Sequence, residues 1–379
     1  MPPPPPAVVG AALCDIDTPA LIVDLDAFER NLVRMAQRSG ELGVRLRPHA
    51  KTHKSPVIAL KQIALGAVGV CCQKVSEAEV LVAGGVGDVL VSNEVVGRAK
   101  LDRLAGLARE AKGALCIDNS VLVQETAAAA ARAGVRLDVL VEIDVGGRRC
   151  GAAPGEAAAE LARAINGEAH LRFAGLQAYH GSAQHKRSVA ERRAAIGEAA
   201  FCVQATIESL ARSGLACETI GGAGTGTFEI EAGSGLWNEV QPGSYVFMDA
   251  DYARNLGADG RPFDAFEHAL FVLVTVISAS GTDRAVVDAG HKAIANDSGF
   301  PDIIGHAGAT YQRPSDEHGV LDLTRCNDRP RVGDKLRLIP GHCDPTVNLH
   351  DWYIGVRGLG TRDPRVAEIW PVAARGAVF

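Results

Sequence analysis

Over the first 250 residues, short apolar runs alternate with amphipathic segments, and the spacing of apolar positions switches between a strand period and a helix period. Phe28, Leu32 and Met35 fall on one face of a helix over 26–42. A short strand follows at 44–48, then a helix at 55–64 with Ser55 as its cap and Pro56 in its first turn. A strand at 68–72 and a helix at 76–83 continue the series. Further strands are predicted at 89–92, 114–117, 137–143, 173–178, 218–221 and 240–245, and further helices at 96–111, 120–133, 154–165 and 189–213. Eight strands with mostly helical crossovers, in about 200 residues, predict an α/β fold built on a (β/α)8 TIM barrel, whose chemistry sits at the C-terminal ends of the strands. A doubly wound sheet fits less well, because no Gly-rich turn opens the first βα unit.

Near residue 255 the rhythm changes. Segments 269–278, 285–288, 336–340, 352–356 and 366–370 have strand patterns separated by turns instead of helices, which predicts a second, β-rich domain. The strand at 20–24 precedes the first barrel helix and is assigned to this second domain. The expected division is a barrel over 26–250 and a β-rich domain from 1–25 and 251–379.

Composition narrows the function classes. With 379 residues, 47% hydrophobic and 22% charged, the chain can bury a large core. A net charge of −6 and the absence of a long Lys/Arg run give no electrostatic case for nucleic acid. The longest apolar run, 269–279, is too short to span a bilayer, so no membrane partner is expected. The proline-rich start, 1–12, lacks the cationic region of a signal peptide. Nine scattered cysteines form no secretory framework, and a reduced, cytoplasmic setting is expected.

Five segments carry candidate chemistry. Arg47-Pro48-His49-Ala50-Lys51-Thr52-His53-Lys54 follows the first barrel strand. A lysine among cations there can have a lowered pKa and act as an amine nucleophile, although a basic solvated loop explains this segment alone slightly better. Gly146-Gly147-Arg148-Arg149-Cys150-Gly151 follows the fifth strand, where one arginine could bond a phenolate or carboxylate, with a plain turn equally good. Gln177 to His185 follows the sixth strand and offers Tyr179 for stacking and His180 and His185 for proton transfer, one of the two being structural. Gly221 to Thr227, after the seventh strand, can converge backbone N–H groups and hydroxyls on an anion, and Gln241-Pro242-Gly243-Ser244-Tyr245 at the eighth could complete a phosphate cup. In the second domain, Gly341 to Asp351 contains His342 and Asp344. In extended backbone the two would face one way, with Cys343 pointing elsewhere, and could bind one divalent ion of the Mn²⁺ or Mg²⁺ type. Two ligands alone make a weak site, and a polar turn is the better account of that segment in isolation.

Taken in order, these segments resemble the family of D-threonine aldolases, D-3-hydroxyaspartate aldolases and eukaryotic-type D-serine dehydratases. The likeness runs from about Asp17 to Ala374 and rests on Asp17-Thr18-Pro19-Ala20-Leu21, Arg47 to Lys51, Val70 to Glu77, Gln177 to Gly181, Met248-Asp249-Ala250-Asp251-Tyr252, Asp316-Glu317-His318-Gly319 and Gly341 to Asp351. It implies the alanine-racemase-like, fold-type III architecture of pyridoxal-phosphate (PLP) enzymes, paired as a homodimer. It implies Lys51 as the Schiff-base lysine, Arg149 on the phenolic oxygen and Tyr179 near the ring. Gly222, Gly224, Thr225, Gly243 and Ser244 would hold the phosphate. Gln241 stands where alanine racemases place an arginine facing the pyridine nitrogen. His342 and Asp344 match the metal ligands, His185 the acid–base histidine, and Asp316 a water-mediated partner of the metal. The His-x-Asp pair resembles the aldolases, whereas the dehydratases look more like His-x-Cys with zinc.

The function that the resemblance implies is metal-assisted retro-aldol cleavage of D-β-hydroxy-α-amino acids, D-threonine among them, to glycine and an aldehyde. The alternatives are D-3-hydroxyaspartate cleavage to glycine and glyoxylate, or dehydration of D-serine or D-hydroxyaspartate. A non-catalytic PLP carrier is disfavoured by the extra β domain and the metal segment, and a racemase would need no metal.

Overall fold

The computed structural model describes residues 3–281 and 283–379. The expectations for Met1, Pro2 and Thr282 lie outside the described residues. Eight parallel strands form one sheet: β2 (Arg45–Leu46), β3 (Val70–Cys72), β4 (Asp88–Glu94), β5 (Lys112–Ile117), β6 (Leu137–Glu142), β7 (Leu171–Ala178), β8 (Thr219–Gly222) and β9 (Glu239–Val240). They are ordered β2-β9-β8-β7-β6-β5-β4-β3, and a parallel bridge between His49 and Cys71 closes the ring. The predicted barrel is therefore present.

Helices α1 (Leu25–Glu41), α2 (Pro56–Ala64), α3 (Val75–Ala83), α4 (Arg98–Leu107), α5 (Ser120–Ala133), α6 (Glu156–Gly167), α7 (Val189–Arg212) and α8 (Phe228–Gly233) accompany the barrel. Their ends follow local chemistry. The Asp24 carboxylate accepts the N–H groups of Asp26 and Ala27 at the start of α1, and Asn119 accepts from Leu122 at the start of α5. Ser188 and Glu191 form a reciprocal capping pair on α7. Behind the strands a continuous apolar layer packs against the helices, while the barrel interior holds the smaller group Cys71, Leu90, Ala114, Cys116, Leu140 and Ala174. The N-terminal end of the barrel is closed by ion pairs. Arg47 reaches Glu239 at 2.9 Å and Asp88 at 2.6 Å, Lys112 reaches Asp88 at 3.2 Å, and Arg172 reaches Asp138.

The eighth strand is shorter than predicted. It spans two residues, because Pro242 has no N–H to continue the ladder, and a 3-10 turn over Ser244–Val246 replaces the rest.

The second sheet has nine strands, adding β1 (Ala20–Asp24), β10 (Leu270–Ser278), β11 (Arg284–Val287), β12 (Asp302–Ile303), β13 (Thr310–Pro314), β14 (Gly319–Asp322), β15 (Lys335–Ile339), β16 (Trp352–Arg357) and β17 (Arg365–Pro371). β1 lies in its middle, antiparallel to β10 and parallel to β16. Strands β12, β13 and β14 lie outside the predicted set. They are short and largely polar or half-exposed, and ladder pairing makes them strands in place of an apolar alternation. Two short helices complete the fold: α9 (Ala250–Ala253), where the chain leaves the barrel, and α10 (Cys343–Val347).

The expectation of an extended 342–344 segment is corrected here. His342 is extended, but it caps α10, and Asp344 lies in that helix's first turn. Asp344 and Pro345 both suit a first turn, where an acid is favourable and an N–H is dispensable.

Candidate active site

A cavity of about 390 Å³ opens at the C-terminal ends of the barrel strands, where a barrel is expected to carry its chemistry. Eleven of the thirteen residues proposed from sequence line it: Lys51, Arg149, Tyr179, His185, Gly224, Thr225, Gln241, Gly243, Ser244, His342 and Asp344. Gly222 does not. It is buried at the end of β8, where φ is +154° and a Cβ would meet the Ala178 carbonyl at 2.4 Å, so its place is in the backbone packing behind the wall.

The basic segment after β2 divides by direction. Arg47 turns to the far end of the barrel, and Lys54 is buried against Glu77 at 2.6 Å, so this is not a solvated loop. His49, Lys51 and Thr52 face the cavity. The expected lowering of the Lys51 pKa is not found. Burial pulls it down, but the Asp344 carboxylate, 3.6 Å from Nζ, and Tyr179 outweigh burial and raise it. Burial and the neighbouring Lys51 charge hold His49 well below the usual imidazole range, so it is neutral. Its Nδ1 accepts the Lys51 N–H at 3.3 Å, and its Nε2 lies 2.9 Å from the Gln73 amide.

Arg149 lies 5.7 Å from the Tyr179 ring centroid and 4.0 Å from Glu142. Burial, together with the nearby Glu94 carboxylate, pushes Glu142 up to about 8. Gln241 exchanges two hydrogen bonds with Gln177, at 2.9 and 3.0 Å, so both amides are held on the cavity floor by each other. Gly243 must be small there, because a Cβ would stand 2.5 Å from Thr52 Oγ1. That buried hydroxyl has no protein partner among the described residues.

The two histidines after β7 differ in position. His185 reaches the cavity wall, whereas His180 packs against Gly146, with Nε2 3.1 Å from where a Cβ would be. His185 Nδ1 is 2.5 Å from Asp251 Oδ2. From the start of α10 in the second domain, His342 Nδ1 bonds Asp297 at 2.6 Å, and the buried Oδ1 of Asp344 has no protein partner among the described residues. Cys343 turns away, its thiol donating to the Met248 carbonyl at 3.3 Å. Asp316 is exposed and lies off the cavity wall of this chain. Among the described residues, no group of three or more His, Cys, Asp or Glu side chains converges on one metal position.

His49, Thr52, Gln177, Glu142 and Asp251 were not singled out for the site from sequence. Thr52 and His49 flank Lys51 and were within reach of that reasoning. Gln177 and Glu142 sit at strand ends, where position along a barrel strand was the available signal.

Glu231, on α8 behind the phosphate-type loop, is fully buried. One of its oxygens accepts from Thr227 Oγ1 at 2.7 Å and the other has no partner among the described residues. Burial pushes its pKa from 4.5 up to about 7. A folded-state pKa above the unfolded one means that ionisation opposes folding. The cost is absent below pH 4.5, grows between 4.5 and 7 and is constant above, at roughly 3 kcal/mol. Glu231→Gln is therefore expected to raise the Tm by a few degrees at pH 8 and far less at pH 5. Thermal melts at the two pH values check this, and an equal change at both would show that the buried carboxylate is not the cause.

Two family models match the chain: the alanine racemase N-terminal domain over residues 23–251 and the putative serine dehydratase domain over 269–356. The chain is 48% identical to a D-threonine aldolase of Arthrobacter sp., covering 98% of this chain and 96% of that one. It is 46% identical to a 3-hydroxy-D-aspartate aldolase of Paracoccus denitrificans, covering 98% and 95%. The crystal structure of D-threonine aldolase from Filomicrobium marinum superposes with a TM-score of 0.95 at 53% identity, over 99% of this chain and all of that one.

Proposed function

We propose that this chain, which belongs to the alanine-racemase-like family that includes D-threonine and 3-hydroxy-D-aspartate aldolases, cleaves D-β-hydroxy-α-amino acids, D-threonine among them, to glycine and an aldehyde. The observation that carries this reading is the meeting of a lysine from the barrel and a carboxylate from α10 of the second domain, Lys51 Nζ and Asp344 Oδ2, at 3.6 Å in one cavity with His185 on its wall.

The residues present fit PLP. Lys51 would hold it covalently, Arg149 would meet its phenolic oxygen, and Tyr179 would flank the ring. Gly224, Thr225, Gly243 and Ser244 would take the phosphate, close to the unpartnered hydroxyl of Thr52. Gln241, tied to Gln177, presents a neutral amide where the pyridine nitrogen would lie. When bound, PLP supplies an electron sink for the pair left at Cα as the Cα–Cβ bond breaks. His342 and Asp344 fit a divalent cation, Mn²⁺ or Mg²⁺, with water or substrate oxygens completing its shell, and the unpartnered Asp344 Oδ1 supports this. Such an ion would supply Lewis acidity at the substrate β-hydroxyl.

The chain's own groups do the rest. His185 takes the β-hydroxyl proton on Nε2, the nitrogen left free by its Asp251 bond. The Cys343 thiol, engaged by Met248, supports an N/O ligand pair and hence the aldolase over the dehydratase. Among the described residues Arg149 is the one guanidinium on the wall, and its role toward the cofactor leaves no second arginine for a β-carboxylate. This favours a neutral substituent at Cβ.

Nine free cysteines support a reducing, cytoplasmic setting, and among the described residues no helix is long and apolar enough to cross a membrane. The family's architecture supports a homodimer.

The test is a product assay with PLP and Mn²⁺ on D-threonine and D-serine, with and without EDTA. Glycine plus acetaldehyde from D-threonine, abolished by EDTA, is the expected result. Pyruvate from D-serine or 2-oxobutanoate from D-threonine would mean dehydration and would overturn the aldolase reading.

A further inference from the structure

Asp251, on α9, is buried, and both of its carboxylate oxygens are engaged. Oδ2 lies 2.5 Å from Nδ1 of His185, and Oδ1 accepts from Nη2 of Arg187. Arg187 is itself fixed, because its Nη1 donates to the Asp251 carbonyl at 2.7 Å and to Asn255 Oδ1 at 2.9 Å. The His185 ring packs against Tyr252, with centroids 5.5 Å apart. The helix that carries Asp251 is also tied to the loop of His342 and Asp344. Asp249 caps α9 through Tyr252 N–H at 3.0 Å, and its other oxygen accepts the Cys343 N–H at 3.1 Å. The Ala250 N–H donates to the Pro340 carbonyl at 3.0 Å.

We propose that Asp251 is a positioning residue that fixes His185 as the Nδ1–H tautomer, leaves Nε2 bare toward the cavity, and through α9 sets His185 in register with the His342–Asp344 loop. The inference rests on the reading of His185 as the base. A carboxylate can only accept, so the imidazole nitrogen facing it must carry the proton, and the neutral ring then has its lone pair on the other nitrogen. Burial opposes ionisation of Asp251, but its bonds to Arg187 and His185 outweigh burial and lower its pKa, so it stays an acceptor at neutral pH.

Arg187 makes the inference sharp. In D251N the amide oxygen must stay on the guanidinium, which offers only donors, so the amide NH₂ is turned toward His185 Nδ1. That forces the proton to Nε2 and removes the base. In D251A neither tautomer is imposed. A purely structural role predicts the opposite order, because asparagine keeps the shape of aspartate and alanine leaves a hole.

The experiment measures kcat and KM of the PLP- and Mn²⁺-loaded enzyme for D251N, D251A, D251E and H185A, and the ¹⁵N signals of the labelled His185 ring in the wild type and D251N. The expected result is a kcat loss of roughly 10²–10³-fold in D251N, with KM changed less than about threefold. D251A should lose less than D251N, D251E should recover part of the rate, and the ring should pass from Nδ1–H to Nε2–H in D251N. Wild-type kcat in D251N, a greater loss in D251A than in D251N, or an unchanged tautomer would overturn the inference. H185A separates the two readings. If H185A keeps full activity, the base assignment itself falls. If H185A is inactive while D251N is not, only the role of Asp251 falls.

Discussion

Lys51→Ala is expected to lose all measurable glycine and aldehyde formation, a fall of roughly 10⁴-fold or more, because among the described residues no other lysine lines the cavity wall to take its place. Every other cation of that loop is committed elsewhere. Arg47 is locked into the ion pairs at the opposite end of the barrel, and Lys54 is buried on Glu77 and the carbonyls of Ala374 and Ala377. The variant should lose the absorption of a lysine-linked cofactor while the hydroxyls and glycines around Thr52 and Gly243 still bind PLP weakly. Spectrophotometric titration with PLP, run beside the product assay, checks both halves. Activity retained in Lys51→Ala would remove this chain from the PLP-dependent chemistry proposed for it.

Asp344→Ala should separate the metal from the cofactor. Asp344 is half of the proposed two-residue ligand pair and stands 3.6 Å from Lys51, yet it comes from α10 of the second domain and holds none of the phosphate-type loop. The expected outcome is a loss of about 10³-fold in kcat, matching EDTA-treated wild type, with PLP still bound at full stoichiometry. In the PLP-free protein the Lys51 pKa should also fall, because the carboxylate that raises it is gone while burial continues to lower it. Release of PLP along with the metal would show that the two binding sites are not independent.

Much of this was legible in the sequence because barrel strands are read by period. The apolar runs at 114–117 and 137–143 and the amphipathic helix at 120–133 match β5, β6 and α5 closely, the last to the residue. Strand ends in a barrel point one way, so counting strands placed the segments of Lys51, Arg149, Tyr179 and His185 around one cavity, while the choice of Arg149 and His185 within their segments came from the family resemblance. The strands β12 to β14 left no such pattern, since polar segments such as Thr310–Pro314 gain their structure from a neighbour. The helix beginning at Cys343 was hidden by its five-residue length, too short for any period to show. The direction of the Lys51 pKa shift was misjudged for a related reason. The cations near Lys51 are neighbours in sequence, whereas the carboxylate that decides the shift lies 293 positions further on and meets it only in the folded chain.

The central place of β1 also fixes an order of events during synthesis. Leu21, Ile22 and Val23 leave the ribosome before the barrel strands, but the strands that bury them begin at residues 270 and 352. Between those moments the eight barrel strands emerge in turn, each within a short stretch of its pairing neighbour except at the seam where β2 meets β9. Contacts between distant parts of a chain are slow to form and leave apolar segments exposed while they wait. The barrel half of the catalytic cavity, with its lysine, is therefore expected to be built before the half that brings His342 and Asp344, whose assembly is the later and more aggregation-prone step.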